Sequence, residues 1–241
     1  IARADASLPY TLTMVGFALG NLFIGRVADK FGVTKALTGA ALTISTGFIF
    51  AAMSSSILAL SILQFVVGFG TAASFGPLIA DISHWFYRRR GIAVAVAASG
   101  NYLSGAIWPI LLSGILRDYG WRTVYVVLAF LTVLLVIPLS LLLKRRVPEV
   151  ASIHADTLSK SNARSVSFSP RTLQLLLALA GVGCCVAMSM PQVHIVSFCV
   201  DLGYGPAVGA EMLSLMLLGG VVSRLISGYV ADKIGGVMTL L

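Results

Sequence analysis

The sequence predicts an all-α membrane protein built from two repeated helical bundles, with about seven complete transmembrane helices visible. Hydrophobic residues make up 58% of the chain and charged residues 11%, a balance that would leave an ordinary globule insoluble. Apolar stretches long enough to cross about 30 Å of hydrocarbon recur along the whole chain. Finally, the pattern G-x-V-A-D-K-x-G is written twice, from Gly25 and from Gly228. We call residues 25–32 and 228–235 the first and second ADK segments.

Seven apolar stretches stand between polar breaks, and each is close to the length of a membrane-spanning helix. A barrel is a poor alternative, because its strands alternate apolar and polar residues, whereas these stretches are apolar throughout. Small residues four positions apart, such as Gly16 with Gly20 and Gly219 with Ser223, favour close helix packing. The predicted spans are 8–24, 33–53, 57–79, 91–116, 123–143, 172–198 and 207–231.

The basic residues predict the orientation of the chain, because Lys and Arg in connections stay cytoplasmic. Connections rich in Lys and Arg alternate with connections that are not. This pattern predicts that both ADK segments are cytoplasmic loops, and that the arginines 88–90 and the connection after residue 143 are also cytoplasmic. The net charge of +8 therefore reflects topology, and we expect no nucleic-acid partner. The expected location is a plasma membrane, specifically a bacterial inner membrane.

The longest connection predicts the division into domains. Residues 144–170 lack a sustained apolar face and are typical of a cytoplasmic linker. We therefore expect an N-terminal bundle over 1–143, lacking its first helix, and the start of a C-terminal bundle over 171–241. The ADK segments are separated by six predicted spans, so the repeating unit is six helices related by an axis along the membrane normal. One helix before residue 8 and four after residue 241 are expected to lie outside this fragment.

The duplicated segment resembles the major facilitator superfamily, whose members carry G-x-x-x-D-(R/K)-x-G-x-(R/K)-(R/K) after their second and eighth helices. Of the two trailing basic residues, this chain has only Lys35 after the first segment and neither after the second. The resemblance implies two six-helix bundles and a secondary active transporter that works by alternating access, without a cofactor. The residues that match the superfamily pattern are Gly25, Asp29, Lys30 and Gly32 in the first segment, and Gly228, Asp232, Lys233 and Gly235 in the second.

An aspartate at the cytoplasmic end of a helix opposes the dipole of that helix but suits the positive N-terminus of another. The resemblance implies that Asp232 docks on the fifth helix, which begins near Gly91, just after Arg88. Asp29 would use a helix outside this chain. We interpret the matching residues and Arg88 as a conformational latch that closes the cytoplasmic side in the outward-open state. A solvated loop charge is the alternative.

Arg224 stands in the second copy where the first has Asn21, so its charge is not part of the shared segment. A central arginine in a span costs about 2.5–3.5 kcal/mol, which indicates a role in the cavity, although snorkelling to the interface is the alternative. A guanidinium suits a carboxylate, which predicts a small organic anion, a monocarboxylate, as substrate. The placement also resembles the monocarboxylate transporter and oxalate-formate antiporter branches. Monocarboxylate carriers often have an Asp one turn earlier, where this chain has Gly220.

Three further polar residues are weaker candidates. Asn101 and Tyr102 lie within the fifth helix, where they could bind the carboxylate or simply pack. His194 could carry a coupled proton, with an interface position as the alternative; the coupled species would be a proton or a second anion. No Cys/His spacing suits a metal and no phosphate-binding loop is present, so we expect no enzyme, metal or cofactor. A carrier of a drug or neutral solute, or a receptor of transporter fold, remains open.

Overall fold

The computed structural model describes residues 3–86, 89–144, 169–235 and 239. Arg88 and nearly all of the predicted linker lie outside these residues. Within them the regular elements are helices: α1 Arg3–Phe31, α2 Val33–Met53, α3 Ile57–Thr71, α4 Gly76–Trp85, α5 Arg90–Leu142, α6 Pro170–Asp201 and α7 Gly205–Ile234, with a 3₁₀ turn at Ala72–Ser74.

The described part of the chain contains six helical segments that are long and apolar enough to cross a membrane, counted by length and composition. One of them, α5, has 53 residues and contains two of the predicted spans. The backbone leaves the helical conformation inside it at Gly120, where φ is 79°. The expected turn at residues 117–122 is therefore reduced to one glycine, and the count of seven spans is preserved.

The third predicted span is interrupted. The sequence predicts one helix over 57–79, but a 3₁₀ turn separates α3 from α4. Pro77 accounts for the break, because it has no amide hydrogen to donate to the carbonyl four residues earlier. Hydroxyl groups contact the loosened backbone, since Ser74 Oγ donates to the carbonyl of Thr71 at 2.7 Å.

Both ADK segments are more helical than expected. The predicted spans end at 24 and 231, whereas α1 continues to Phe31 and α7 to Ile234. Most of each segment therefore forms the last turns of a helix instead of a loop. Only the final glycine of each segment, Gly32 or Gly235, leaves the helix.

The chain packs into two compact units, and α5 contributes to both. The first unit holds Ile1–Trp85 and Leu112–Val147, and the second holds Phe86–Leu111 and Pro148–Leu241. These units are defined by packing. The bundles 1–143 and 171–241 are defined by the sequence repeat and stay a prediction.

In the first unit, α1 and α3 approach closely along glycines. A methyl group at Gly16 would collide with the backbone of Phe65, and one at Gly68 would collide with the carbonyl of Thr13. Gly20 is equally constrained, because a methyl group there would lie 2.6 Å from the carbonyl oxygen of Phe69. Lipid tails are as apolar as the helices, so the hydrophobic effect does not drive helices together in a bilayer. Glycine instead lets the two backbones approach closely enough to pack.

A buried amide joins three helical segments of the first unit. Gln64 on α3 is 8% exposed, and its Nε2 donates to the Tyr125 hydroxyl at 2.8 Å. The Thr13 hydroxyl on α1 donates to Gln64 Oε1 at 3.4 Å. A buried polar group must keep such partners, so these contacts fix how α1, α3 and the second part of α5 meet.

In the second unit, α6 and α7 also meet at a glycine. A methyl group at Gly209 would lie 2.7 Å from the Cα of Val196. The first part of α5 packs along α7 in the same unit, and this contact carries the candidate site.

Candidate functional site

The candidate site lies along the line where α5 and α7 pack antiparallel. Residues on α7 that are three or four positions apart share a surface of the helix and meet successive turns of α5. Along this line Asp232 contacts Gly91 and Ile92, Gly228 contacts Gly91 and Ala95, Arg224 contacts Ala98 and Tyr102, Gly220 contacts Tyr102, Leu217 contacts Gly105, and Ser214 contacts Ala106.

Asp232 caps the start of α5. Its Oδ1 accepts from the amide of Gly91 at 2.6 Å, and its Oδ2 accepts from the amide of Ile92 at 2.9 Å. The first amides of a helix have no partner within that helix, and the positive end of the dipole favours a carboxylate. The structure therefore places Asp232 at the start of the fifth helix, as the sequence analysis expected.

Gly228 allows this close approach. A methyl group at position 228 would lie 2.5 Å from the Cβ of Ala95 and 2.8 Å from the carbonyl oxygen of Gly91. Gly91 is constrained in turn, because a methyl group there would lie 2.7 Å from Oδ1 of Asp232. The glycine that opens the second ADK segment is thus required by tertiary packing.

The glycines that close the two ADK segments have the same backbone conformation. Gly32 has φ 87° and ψ 155°, and Gly235 has φ 89° and ψ 152°. Each amide donates to the carbonyl four residues earlier, at 2.8 Å and 3.0 Å. A positive φ favours glycine, which explains why both copies end in this residue.

The lysines of the two segments also behave alike. Lys30 lies 5.3 Å from the ring centroid of Phe31, and Lys233 lies 4.7 Å from that of Tyr229. Both ammonium groups therefore lie over aromatic rings of their own helix ends, an arrangement that is favourable for a cation.

The first ADK segment differs from the second by having an open surface. No atom lies within 4 Å of a methyl group built at Gly25, and Asp29 is exposed. Gly25 and Asp29 line a cavity of about 390 Å³ together with Asn21 and Asp81. The side chain of Asp29 makes no hydrogen bond or ion pair with residues that the structure describes.

Arg224 is half-buried and points toward α5. Its Nη1 donates to the carbonyl of Ala98 at 3.2 Å, and its Nη2 donates to the hydroxyl of Tyr102 at 3.4 Å. The guanidinium carbon lies 4.3 Å from the centroid of the Tyr102 ring. Among the described residues, no carboxylate lies within ion-pair distance of Arg224.

Tyr102 connects three helices of the second unit. Its hydroxyl donates to the thioether sulfur of Met188 on α6, and its ring lies against Gly220 on α7. The structure thus brings Tyr102 and Arg224 together. Asn101 is exposed; its backbone carbonyl accepts a hydrogen bond from Ser104, and its side chain has no hydrogen-bond partner among the described residues. His194 is also exposed, and among the described contacts its backbone carbonyl accepts from Ser197.

Sequence reasoning did not select Ala98, Met188 or Gly220 as part of the site. Two of them carry a usable signal, since Ala98 is one helical turn before Tyr102 and Gly220 is one turn before Arg224. Met188 carries none, because its contact joins residues 86 positions apart in the chain.

A sequence profile described as the Major Facilitator Superfamily matches residues 1–241. The chain is 28% identical over 222 residues to the MFS-type transporter pytF of Aspergillus terreus, covering 90% of this chain and 72% of that protein. It is 29% identical over 214 residues to human monocarboxylate transporter 11, covering 86% of this chain and 44% of that protein. It is 30% identical over 239 residues to bovine monocarboxylate transporter 13, covering 96% and 52%.

The chain spans about half the length of these two monocarboxylate transporters. The relatives confirm the resemblance to the monocarboxylate branch. They come from fungi and mammals, and they give no support to the expectation of a bacterial inner membrane.

Proposed function

This chain belongs to the Major Facilitator Superfamily, and we propose that it is part of a secondary active transporter for a small organic anion, a monocarboxylate. Transport proceeds by alternating access between the two predicted bundles, in a plasma membrane. The superfamily is one of membrane transporters, which agrees with the apolar helices of the chain.

The observation that carries this proposal is the placement of Arg224. A half-buried guanidinium in a membrane-spanning helix is held against α5 by a backbone carbonyl, a hydroxyl and an aromatic ring. A guanidinium has five N–H donors. The two hydrogen bonds to α5 use two of them, which leaves three donors in a planar fork for a carboxylate. A bound organic anion would also compensate the buried charge.

The latch is the second part of the proposal. Asp232 caps α5 with two short hydrogen bonds, and we assign this contact to the closed cytoplasmic side of the outward-open state. The matching groove beside Gly25 and Asp29 is open in this chain. By the sequence repeat, we assign this groove to the N-terminus of a helix in the second bundle.

The coupled species is a proton or a second anion. His194 is the candidate proton carrier for this coupling. Asn101 is kept as a candidate substrate contact because its amide is exposed in the same turn of α5 as Tyr102.

The test is uptake of labelled acetate, lactate, pyruvate and oxalate into proteoliposomes that contain the full-length protein. The parent is compared with Arg224→Gln and with Arg117→Gln, a control arginine whose side chain is 81% exposed and pairs with Asp118. We expect one acid to accumulate with the parent and the control but not with Arg224→Gln. Equal uptake by all three proteins would contradict the assignment of Arg224.

The same assay separates the alternatives. Accumulation of a neutral solute that no acid competes against favours a drug or neutral-solute carrier. Binding of an acid without accumulation, also with a proton gradient or a counter-anion supplied, favours a receptor.

A further inference from the structure

Gly220 leaves a space that the ring of Tyr102 fills. A methyl group at position 220 would lie 2.7 Å from both Cδ1 and Cε1 of Tyr102, so any side chain there would displace the ring. The neighbouring Gly219 is different, because no atom lies within 4 Å of a methyl group built there. The requirement for glycine is therefore specific to position 220.

The ring that fills this space also holds Arg224. Gly220 and Arg224 are one turn apart on α7, so a ring that lies against the first reaches the second. The ring centroid is 4.3 Å from the guanidinium carbon, which is within the range of a cation–π contact. The Tyr102 hydroxyl accepts from Arg224 and donates to Met188 on α6, so the ring is itself held at its far end.

These contacts restrict the orientation of a flexible side chain. An arginine recognises a carboxylate best when its planar fork is already oriented, because less freedom is lost on binding. The contact with the Tyr102 ring restricts the position of the guanidinium, and the hydrogen bonds from Nη1 to Ala98 and from Nη2 to Tyr102 restrict its orientation. Since the Tyr102 hydroxyl is engaged with both Arg224 and Met188, it is poorly placed to bind substrate as well.

We propose that Tyr102 is a positioning residue for Arg224, and that Gly220 is the position that admits it. Tyr102 then acts on the substrate through the guanidinium instead of contacting it. A side chain at position 220 displaces the ring and leaves Arg224 without its cation–π contact. This inference rests on the proposed function of Arg224 as the anion site.

The transport test compares KM and kcat for the accumulated acid among four variants of the full-length protein. Gly220→Ala and Tyr102→Leu each raise KM by about 5- to 30-fold with little change in kcat, the range expected when one cation–π contact is lost. Gly219→Ala is the matched control and keeps the parent KM. Tyr102→Phe keeps the ring and loses the hydroxyl, so it restores most of the affinity that Tyr102→Leu loses.

A double-mutant cycle tests whether the two residues act together. If Gly220→Ala acts by displacing the ring, the double variant Gly220→Ala/Tyr102→Leu is no worse than either single variant. Additive increases in KM, or a KM for Tyr102→Leu equal to that of the parent, would overturn the proposal. Tyr102→Leu adds no bulk beside α7, so it provides the test even if Gly220→Ala does not fold.

A chemical readout separates this inference from the proposed function. Phenylglyoxal modifies exposed arginines, and mass spectrometry of the peptide containing Arg224 follows the reaction without any substrate. We expect faster modification in Gly220→Ala and Tyr102→Leu than in the parent and Gly219→Ala. If no acid is transported but this pattern holds, the anion proposal fails while the positioning of Arg224 stands. Equal modification rates in all four proteins would reject the positioning itself.

Discussion

Replacing Asp232 by asparagine tests the contact between Asp232 on α7 and the N-terminus of α5. Asp232→Asn keeps one carbonyl oxygen and exchanges the other for an amide group that cannot accept. One of the two hydrogen bonds to the amides of Gly91 and Ile92 is therefore lost, together with the negative charge at the helix N-terminus. The change is nearly isosteric, so the effect reports on the hydrogen bond and the charge.

The expected magnitude follows from these two losses. A hydrogen bond contributes about 0.5–1.5 kcal/mol, and a charge at the exposed end of a helix about 0.3–1 kcal/mol. Together they amount to about 0.8–2.5 kcal/mol, which shifts the equilibrium between docked and undocked forms about 4- to 70-fold.

Hydrogen exchange measures this shift at the two amides. Mass spectrometry of a peptide covering residues 90–96 should show about 4- to 70-fold faster exchange in Asp232→Asn than in the parent. Asp29→Asn is the matched control, because it alters the same position of the first ADK segment, where the carboxylate makes no hydrogen bond or ion pair among the described residues. Unchanged exchange in Asp232→Asn, or an equal effect of the control, would refute the capping of α5 by Asp232.

Three further predictions concern stability and are checked by the thermal unfolding midpoint in detergent. Gly68→Ala should lower it strongly, because the added methyl group meets the backbone of α1, whereas Gly39→Ala faces open space and should be neutral or slightly stabilising; equal effects would contradict the close approach. Gln64→Ala should cost about 1–3 kcal/mol by removing a buried amide and leaving the half-buried Tyr125 hydroxyl without the donor that it has in the parent, while exposed Gln174→Ala stays within about 0.5 kcal/mol; an unchanged midpoint for Gln64→Ala would show that this amide does not stabilise the helix contacts. Gly32→Ala should cost about 1–3 kcal/mol because φ 87° with ψ 155° is a backbone conformation that is essentially confined to glycine, and an unchanged midpoint would argue against that conformation.

The positions of the helices could be predicted from the sequence because the bilayer imposes a length on each apolar stretch. The second span was predicted at 33–53, and α2 occupies Val33–Met53. The break between α3 and α4 was missed, although Pro77 carried the signal, because hydropathy alone does not register a lost amide hydrogen. The prediction that pairs of small residues mark close helix packing was right at Gly16, where two backbones meet. Gly219 faces open space instead.

The parts of the site that depend on charge could be predicted from the sequence. The contacts that depend on the register between two packed helices could not. A carboxylate at the C-terminal end of one helix favours the N-terminus of another, and the resemblance to the superfamily implied that the fifth helix is this partner for Asp232. Arg224 stood out because a cation inside a span is costly. The contact between Gly220 and Tyr102 was not predictable, because it depends on how two helices more than a hundred residues apart slide against each other.

The most direct test of the central claim is the affinity of the full-length protein for the transported acid and for its neutral amide, such as lactate and lactamide, measured by equilibrium dialysis. If Arg224 binds the negatively charged carboxylate, the parent and Arg117→Gln bind the acid about 10- to 100-fold more tightly than the amide, and Arg224→Gln loses that preference. An unchanged preference for the acid in Arg224→Gln would contradict the account.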